Sequence, residues 1–351
     1  MNTEVYKITN IEKTDDQILN VAAAFLRRGE LVAFPTETVY GLGADALQEQ
    51  AAKKIYAAKG RPSDNPLIVH IADISDLDRI AMEIPREAYL LAEAFWPGPL
   101  TMVLKKNDNV PGTTTGGLQT VAVRMPSHPV ALELIRKSGC LLAAPSANRS
   151  GRPSPTNAEH VYEDFQGIIP LIIDAGAVSI GIESTIVDLS EEEPMILRPG
   201  YITPSMLETV LKRKILMDPG LSNTKENTRP KAPGMRYKHY APRAELFLVD
   251  GEREKVAAYI NKKTVEQQQM GRKVGIIGTD ETISQYCGDI ILSIGAREDE
   301  DAIARHLYAI LRRMDQEKVS VIYSESFLTP RIGHAIMNRL LKAAGYQILE
   351  V

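Results

Sequence analysis

The feature that most constrains the fold is a short apolar run that ends abruptly in a polar, glycine-containing segment. Leu31–Phe34 is predicted to be a buried strand, and a proline ends it because proline cannot donate to a sheet ladder. Residues 36–43 (TETVYGLG) then place hydroxyls and glycines at its carboxyl end, and Lys59 and Arg61 flank the end of a predicted helix, Gln48–Lys59. Ligands of open α/β sheets bind at this end of the strands. The segment therefore predicts a phosphate site at a strand-to-helix junction.

The rest of the first two hundred residues alternates between apolar runs and helical periodicity. Further strands are predicted at Leu67–Ile71, Leu100–Leu104, Val121–Met125, Leu141–Ala143, Leu171–Ile173 and Thr185–Leu189. Helices are predicted between them at Glu87–Phe95, Pro129–Lys137 and Ala158–Asp164. Residues 1–212 therefore read as one mixed α/β domain.

A basic, proline-containing linker is predicted over residues 213–243. From Leu221 to Arg243 the chain has six Lys or Arg against one acid, with three prolines. Beyond it, residues 244–351 alternate strand and helix as a doubly wound parallel sheet does, which predicts a small Rossmann-like domain. A chain of 351 residues is also too long for one ordinary core, so two domains are expected.

Composition excludes several classes of protein. The formal net charge is -4, with 44% hydrophobic and 25% charged residues, so there is no overall basic excess for nucleic acid. Cys140 and Cys287 lie far apart and outside any zinc pattern, which argues against a disulfide framework and favours a reducing compartment. Neither a leader-like apolar region nor a membrane-length apolar run is apparent. A cytoplasmic protein is therefore expected.

A second chemical cluster follows the predicted strand Leu141–Ala143. Residues 143–154 (AAPSANRSGRPS) combine small residues, hydroxyls, amides and arginines, much as the first cluster does. Small residues let the backbone approach a ligand, and exposed N–H groups can bind an anion. This segment alone is equally consistent with an ordinary polar turn. Polar residues also lie at the ends of other strands, and together with this segment they favour a ligand-binding site: His70, Arg124, Ser184 and Arg198.

These motifs together resemble the threonylcarbamoyl-AMP synthase family, the YrdC-type enzymes, in its longer two-domain form. The motifs that carry the resemblance are 35–42 (PTETVYGL), 59–62 (KGRP), 65–67 (NPL), 96–101 (WPGPLT), 144–148 (APSAN), 183–188 (ESTIVD) and 233–242 (PGMRYKHYAP). The resemblance implies a YrdC-like twisted mixed sheet with flanking helices, plus a smaller Rossmann-like α/β domain joined by a long linker. In the family, that linker reaches back over the active site as a lid.

The resemblance also implies a reaction. L-threonine, bicarbonate (or CO2) and ATP with Mg2+ give threonylcarbamoyl-AMP and pyrophosphate, which makes the enzyme a nucleotidyltransferase and starts the t6A modification of tRNA. A tRNA threonylcarbamoyltransferase complex would be a transient partner. No protein metal ligand is assigned.

Site residues carry over from the matching motifs. Catalytic roles are implied for Lys59, Arg61, Ser146 and Asn148. ATP contacts are implied for Arg61, Asn65, Thr120, Ser146, Ser154, Arg198, His239 and Tyr240. L-threonine contacts are implied for Thr38, His70, Arg124, Ala144 and Ser184.

Other functions stay open at this stage. The YrdC-type fold has a concave face that can hold double-stranded RNA or tRNA, although the acidity of this chain argues against an RNA-binding module. A related domain occurs in hydrogenase-maturation carbamoyltransferases, but two cysteines are too few for their zinc segments. A catalytically idle relative is a third alternative. By composition alone, the linker is as well explained by a solvated spacer as by a lid.

Overall fold

The computed structural model describes residues 2–9, 16–221, 231–233, 240–327 and 330–351. These residues divide into two compact units. The first takes its described residues from Met1–Ser150, Ser154–Ser179 and Glu183–Arg236, and the second from Gly151–Pro153, Ile180–Ile182 and Tyr237–Val351. No helix within the described part of the chain is long and apolar enough to cross a membrane.

The first unit is built on one large mixed sheet with helices packed against it. Its strands are β1 Glu4–Lys7, β2 Val32–Phe34, β3 Gly41–Asp45, β4 Ile68–His70, β5 Leu100–Lys105, β6 Thr120–Arg124, β7 Leu142–Ala143, β8 Leu171–Asp174, β9 Thr185–Asp188, β10 Met195–Arg198 and β11 Leu216–Met217. Its helices are α1 Asp16–Arg27, α2 Glu49–Lys59, α3 Arg86–Phe95, α4 Pro129–Ser138, α5 Ala158–Phe165 and α6 Pro204–Leu211. The strand order among the described residues is β1-β8-β2-β3-β7-β4-β6-β5-β9-β10-β11.

The core of this unit lies on both faces of the sheet, because successive strand residues point to opposite sides. On β2, Val32 and Phe34 join a cluster with α1 and α4, whereas Ala33 joins the larger cluster. On β4, Val69 also faces the larger cluster, and Ile68 belongs to a separate small cluster on the other side. That small cluster brings together buried residues of five strands and of a distant segment: Ile68, Val103, Ala122, Ile186, Leu197 and Ala232.

The second unit is a smaller α/β sheet. Its strands are β12 Glu245–Asp250, β13 Val274–Gly278, β14 Ile290–Ser293, β15 Val321–Glu325 and β16 Ile348–Glu350, and its helices are α7 Arg253–Gln269, α8 Glu300–Gln316 and α9 Gly333–Ala343. The order is β14-β13-β15-β12-β16, and each neighbouring pair is parallel. The expected fold class, a twisted mixed sheet with flanking helices plus a smaller Rossmann-like α/β unit, is confirmed.

The strand-to-helix junction expected after Leu31–Phe34 is wrong. Strand β3 intervenes and pairs antiparallel with β2, so the polar residues lie in a strand-to-strand connection. The glycines have a packing role here, because a Cβ at Gly43 would lie 2.6 Å from a ring carbon of Phe34. Gly41 and Gly43 are buried strand residues rather than an open phosphate-binding loop.

Candidate active site

The register of the sheet brings polar strand ends together on one face. His70 pairs with Arg124 across β4 and β6, at the carboxyl ends of both strands. Because residues two apart on a strand share a face, His70 and Arg124 lie on the same side as Ile68 and Ala122 of the small apolar cluster. His70 and Arg124 therefore project from the face opposite the larger core cluster, which holds Val69 and Val123.

Arg124 is the centre of this group and is 4% exposed. Its Nη1 donates to Thr38 Oγ1 at 2.9 Å, and its Nε donates to the Gly98 carbonyl at 3.3 Å. Thr38 is held in turn by Thr36, whose hydroxyl oxygen lies 2.9 Å from that of Thr38. A guanidinium fixed in this way presents its remaining N–H groups in a defined direction, which suits a carboxylate.

Glu37 completes the group with a negative charge. Its Oε1 lies 2.7 Å from Arg124 Nη2, and the two side chains are only 7% and 5% exposed. Burial pushes the pKa of Glu37 upward, but the adjacent guanidinium outweighs it and holds the pKa below its usual value. Glu37 is therefore a carboxylate at neutral pH.

His70 is a neutral polar group in this site. Burial, together with the charge of Arg124, lowers its pKa to about 3. Its Nδ1 lies 3.2 Å from the Ile68 carbonyl oxygen, so a proton on Nδ1 donates to that carbonyl. The Nε2 of this tautomer is an acceptor.

Ser184 is linked to both Thr101 and Arg198. The hydroxyl oxygens of Ser184 and Thr101 lie 2.8 Å apart, and both residues are buried. Arg198 donates from Nη2 to Ser184 Oγ at 3.1 Å and from Nε to the Ser184 carbonyl at 3.0 Å. Parallel pairing of β5 with β9 sets this contact, since Leu100 is opposite Thr185.

The described linker residues 231–233 pack onto this same face. Ala232 is fully buried in the small apolar cluster, and the Pro233 carbonyl accepts from Arg198 Nη1 at 3.2 Å. Lys231 Nζ lies 3.1 Å from Asp188 Oδ2. This part of the linker is therefore an ordered covering of the polar face.

Lys59 lies in the last turn of α2, which ends because Gly60 adopts a left-handed conformation at φ 63°. The side chain is 2% exposed, and its Nζ donates to the carbonyls of Ser146 and of Asn148, the latter at 2.6 Å. The Ser150 N–H returns a bond to the Lys59 carbonyl at 2.9 Å. Lys59 therefore ties the second chemical cluster to the helix end.

The side chains of that cluster also bond among themselves. Ser146 Oγ donates to Asn148 Oδ1 at 2.6 Å, and Asn148 Nδ2 donates to the Arg149 carbonyl at 2.8 Å. Ala144 is buried, and its N–H donates to the Ile68 carbonyl at 2.9 Å. The turn that follows β7 is consequently built against β4.

The remaining residues assigned to ATP are spread more widely. Arg61 donates from Nε to the Asn65 carbonyl at 3.2 Å and from Nη2 to the Pro66 carbonyl at 3.0 Å. Among the described residues, no donor bonds the buried Asn65 Oδ1. Thr120 begins β6 and Arg124 ends it, so the two are about 13 Å apart along the strand. Ser154 Oγ donates to buried Glu183 Oε1 at 2.5 Å.

The last two assigned residues are His239 and Tyr240. His239 lies outside the described residues. Tyr240 belongs to the second unit, where its ring stacks on Tyr308 with centroids 5.2 Å apart. The structure therefore brings Thr38, His70, Arg124 and Ser184 together, and separately joins Lys59 to Ser146 and Asn148.

Several partners of these residues were not predicted from the sequence. Glu37, Thr101 and Glu183 each contact an assigned residue, and the Pro233 carbonyl does so from the linker. For Glu37, an acid flanked by two threonines directly after a buried strand was an available signal. The contact between Thr101 and Ser184 joins residues 83 positions apart, and only the strand register reveals it.

Comparison with known families matches both units. Residues 24–200 match the family model described as Telomere recombination (Sua5, YciO, YrdC), and residues 202–345 match the one described as Threonylcarbamoyl-AMP synthase, C-terminal domain. Threonylcarbamoyl-AMP synthase of Pyrococcus abyssi is 50% identical over 97% of this chain and 98% of its own length. That of Bacillus subtilis is 50% identical over 98% of this chain and 97% of its own length.

Solved structures give the same result. The crystal structure of P. abyssi Sua5 complexed with L-threonine matches all of both chains with a TM-score of 0.92 and 48% identity. Escherichia coli YciO, at 23% identity, a TM-score of 0.51 and coverage of 57% of this chain and 96% of its own, supports the fold alone. The family resemblance seen in the sequence motifs is confirmed.

Proposed function

The chain belongs to the threonylcarbamoyl-AMP synthase family, and we propose that it makes threonylcarbamoyl-AMP and pyrophosphate from L-threonine, bicarbonate and ATP. The observation that carries this proposal is the buried group of Arg124, Thr38, His70 and Ser184 on one sheet face. A buried, fixed guanidinium surrounded by hydroxyls is the chemistry that an amino-acid substrate needs.

The threonine half of the site follows from those contacts. Arg124 binds the substrate carboxylate with the N–H groups that Thr38 and Gly98 leave available. The substrate's own hydroxyl bonds to polar atoms such as His70 Nε2. A site built to hydrogen-bond a hydroxyl discriminates against substrates that lack it. The relative from P. abyssi was solved as a complex with L-threonine, which supports this substrate for the present chain.

The ATP half uses the second chemical cluster. Lys59 holds the backbone of the turn 146–148, and the hydroxyl and amide of Ser146 and Asn148 lie at that turn. Together with Arg61 and Arg198 these groups supply cations and donors for a triphosphate. Thr120, Asn65 and Ser154 complete the proposed ATP set, with Tyr240 and His239 of the linker assigned to it by family pattern.

Mg2+ would enter with the phosphates of ATP. Asn65 Oδ1, a buried oxygen that no donor among the described residues bonds, is chemically suited to a hydrated magnesium ion. Within the described residues, no group of three or more His, Cys, Asp or Glu side chains is arranged to hold a metal. The ion would neutralise charge on the phosphates, and the protein residues would orient them.

The chemistry needs positioning more than covalent participation by the protein. The threonine amine takes up CO2 to form a carbamate, and a carbamate oxygen then attacks the α-phosphorus as pyrophosphate leaves. Hydrogen-bond donors that are already fixed where charge develops in the transition state lower the activation barrier, because the protein does not have to rearrange during the reaction. Lys59, Arg61, Ser146 and Asn148 fill that role in the proposal, which makes the enzyme a nucleotidyltransferase.

The linker is proposed to act as a lid. Its residues 231–233 already cover the polar face through Ala232 and through the bond from Arg198 to Pro233. A covering over this face excludes water from a labile adenylate. The product would pass to a tRNA threonylcarbamoyltransferase complex for t6A synthesis.

Pyrophosphate release tests the proposed function. The purified chain is given ATP, Mg2+ and bicarbonate, with L-threonine, L-serine or no amino acid. Release that requires both threonine and bicarbonate supports the synthase. Release that ignores threonine indicates another ATP-using reaction, and absence of release in every arm favours the alternative of an RNA-binding module.

A further inference from the structure

The Glu37 carboxylate has unused hydrogen-bonding capacity. The side chain is 7% exposed, and the donors around its two oxygens are the Arg124 guanidinium and the backbone N–H groups of Glu37 and Ser127, yet none of these gives a well-directed hydrogen bond within the described residues. Its close neighbour is Arg124 Nη2, at 2.7 Å. Buried carboxylates normally accept several hydrogen bonds, and each acceptor left without one costs free energy. Such a group on a polar face points to a ligand that supplies the missing donors.

The charges of this pair define the ligand. Arg124 is held by Thr38 and by the Gly98 carbonyl, so its orientation does not depend on Glu37 alone. The pair presents a fixed cation and a fixed anion side by side in a buried place. An α-amino acid carries the complementary pair, a carboxylate and an ammonium on one carbon.

We infer that Glu37 binds the α-ammonium group of the amino-acid substrate while Arg124 binds its carboxylate. The inference rests on the proposed function, because it takes L-threonine as the occupant of this face. The site then recognises the zwitterion as a whole, and the contact to Glu37 ends when the nitrogen becomes part of the carbamate. Glu37 would thus select free amino acids over N-blocked ones.

A purely structural role for Glu37 makes a different prediction. If Glu37 only positions Arg124, its loss should weaken every ligand that uses the guanidinium, with or without an amine. If Glu37 binds the ammonium, its loss should weaken only ligands that carry an amine. A ligand that differs from threonine at the amine alone separates the two roles.

The experiment measures binding of two ligands by titration calorimetry. One is L-threonine, and the other is the matching 2,3-dihydroxybutyrate, in which a hydroxyl replaces the ammonium. Both are titrated into the wild-type chain, into Glu37→Gln and into the matched control Glu49→Gln. Glu49 is an acid in an exposed pair with Lys53, where the side chains are 56% and 51% exposed, so its loss should change neither affinity.

We expect Glu37→Gln to bind threonine roughly 10- to 100-fold more weakly, which is the range for a charged hydrogen bond. The dihydroxy acid should bind this variant as well as, or better than, the wild type, because Arg124 loses a competing anion. An equal loss for both ligands, or unchanged threonine affinity, overturns the inference. Wild-type protein that binds no threonine would refute the proposed function itself, which is a separate outcome.

Folding of the variant is checked by its melting temperature. If Glu37→Gln does not fold, Glu37→Asp takes its place, since aspartate keeps the charge on a shorter stem. This variant should bind threonine more weakly than wild type while still preferring it to the dihydroxy acid. Loss of that preference would overturn the inference.

Discussion

Replacing Lys59 by methionine should destabilise the first unit markedly. Lys59 is 2% exposed and its Nζ donates to the carbonyls of Ser146 and Asn148. Methionine keeps an apolar stem of similar length but removes both charged hydrogen bonds, each with a net value of about 1.5–3 kcal/mol. Ser146 is only half-buried, so water partly replaces one donor. We therefore expect the free energy of unfolding to fall by roughly 2–4 kcal/mol.

The matched control is Lys53→Met on the same helix. Lys53 is 51% exposed and pairs with Glu49, an i,i+4 contact for which about 0.3–0.5 kcal/mol is typical. The chain has a single tryptophan, Trp96, which is buried in the first unit and reports its unfolding by fluorescence. Urea titrations of both variants give the comparison. If Lys59→Met unfolds within about 0.5 kcal/mol of Lys53→Met, the role assigned to Lys59 in holding the turn is refuted.

Two further predictions test the histidine and the linker. Burial holds the pKa of His70 in the folded chain near 3, below an unfolded value of about 6.5. Between these two pH values the unfolded chain binds more protons than the folded chain, so the free energy of unfolding falls as the pH is lowered from about 6.5 to about 3. A His70→Gln variant should flatten this dependence by up to about 1.4 kcal/mol per pH unit in acid denaturation curves; an unchanged slope would show that His70 is not buried in its neutral form. Ala232→Asp puts a charge into a fully buried apolar cluster. It should detach residues 231–233 and raise the KM for ATP about tenfold or more. Unaltered kinetics in Ala232→Asp would remove the lid proposal.

The periodic elements of the fold were accessible from the sequence, but the glycine-rich strand was not. The helix predicted at Glu87–Phe95 is observed as Arg86–Phe95, because its apolar residues recur with regular helical spacing. Strand β3 was missed since Gly41 and Gly43 suggested a phosphate loop, while the ring of Phe34 actually requires glycine at position 43. Local composition cannot distinguish a glycine that approaches a ligand from one that admits a neighbouring ring.

The candidate site was predictable as a set of residues and not as a set of contacts. Motifs identified Thr38, Arg124 and Ser184, yet nothing in them indicates that Arg124 bonds Thr38 or that Ser184 bonds Thr101. Those contacts arise from pairing between strands that are distant in the chain, such as β4 with β6 and β5 with β9. Buried partners of opposite charge, of which Glu37 is an example, become visible only when that pairing is known.

In the proposed reaction the first unit joins threonine, CO2 and the AMP part of ATP into threonylcarbamoyl-AMP, and pyrophosphate leaves. The most direct test incubates the chain with carbon-13 bicarbonate, ATP, Mg2+ and L-threonine, and follows the adenylate by mass spectrometry. We expect a threonylcarbamoyl-AMP ion that carries the label, forms only when all substrates are present and is strongly reduced in Lys59→Met. An adenylate that lacks the label, or one that forms without threonine, would contradict it.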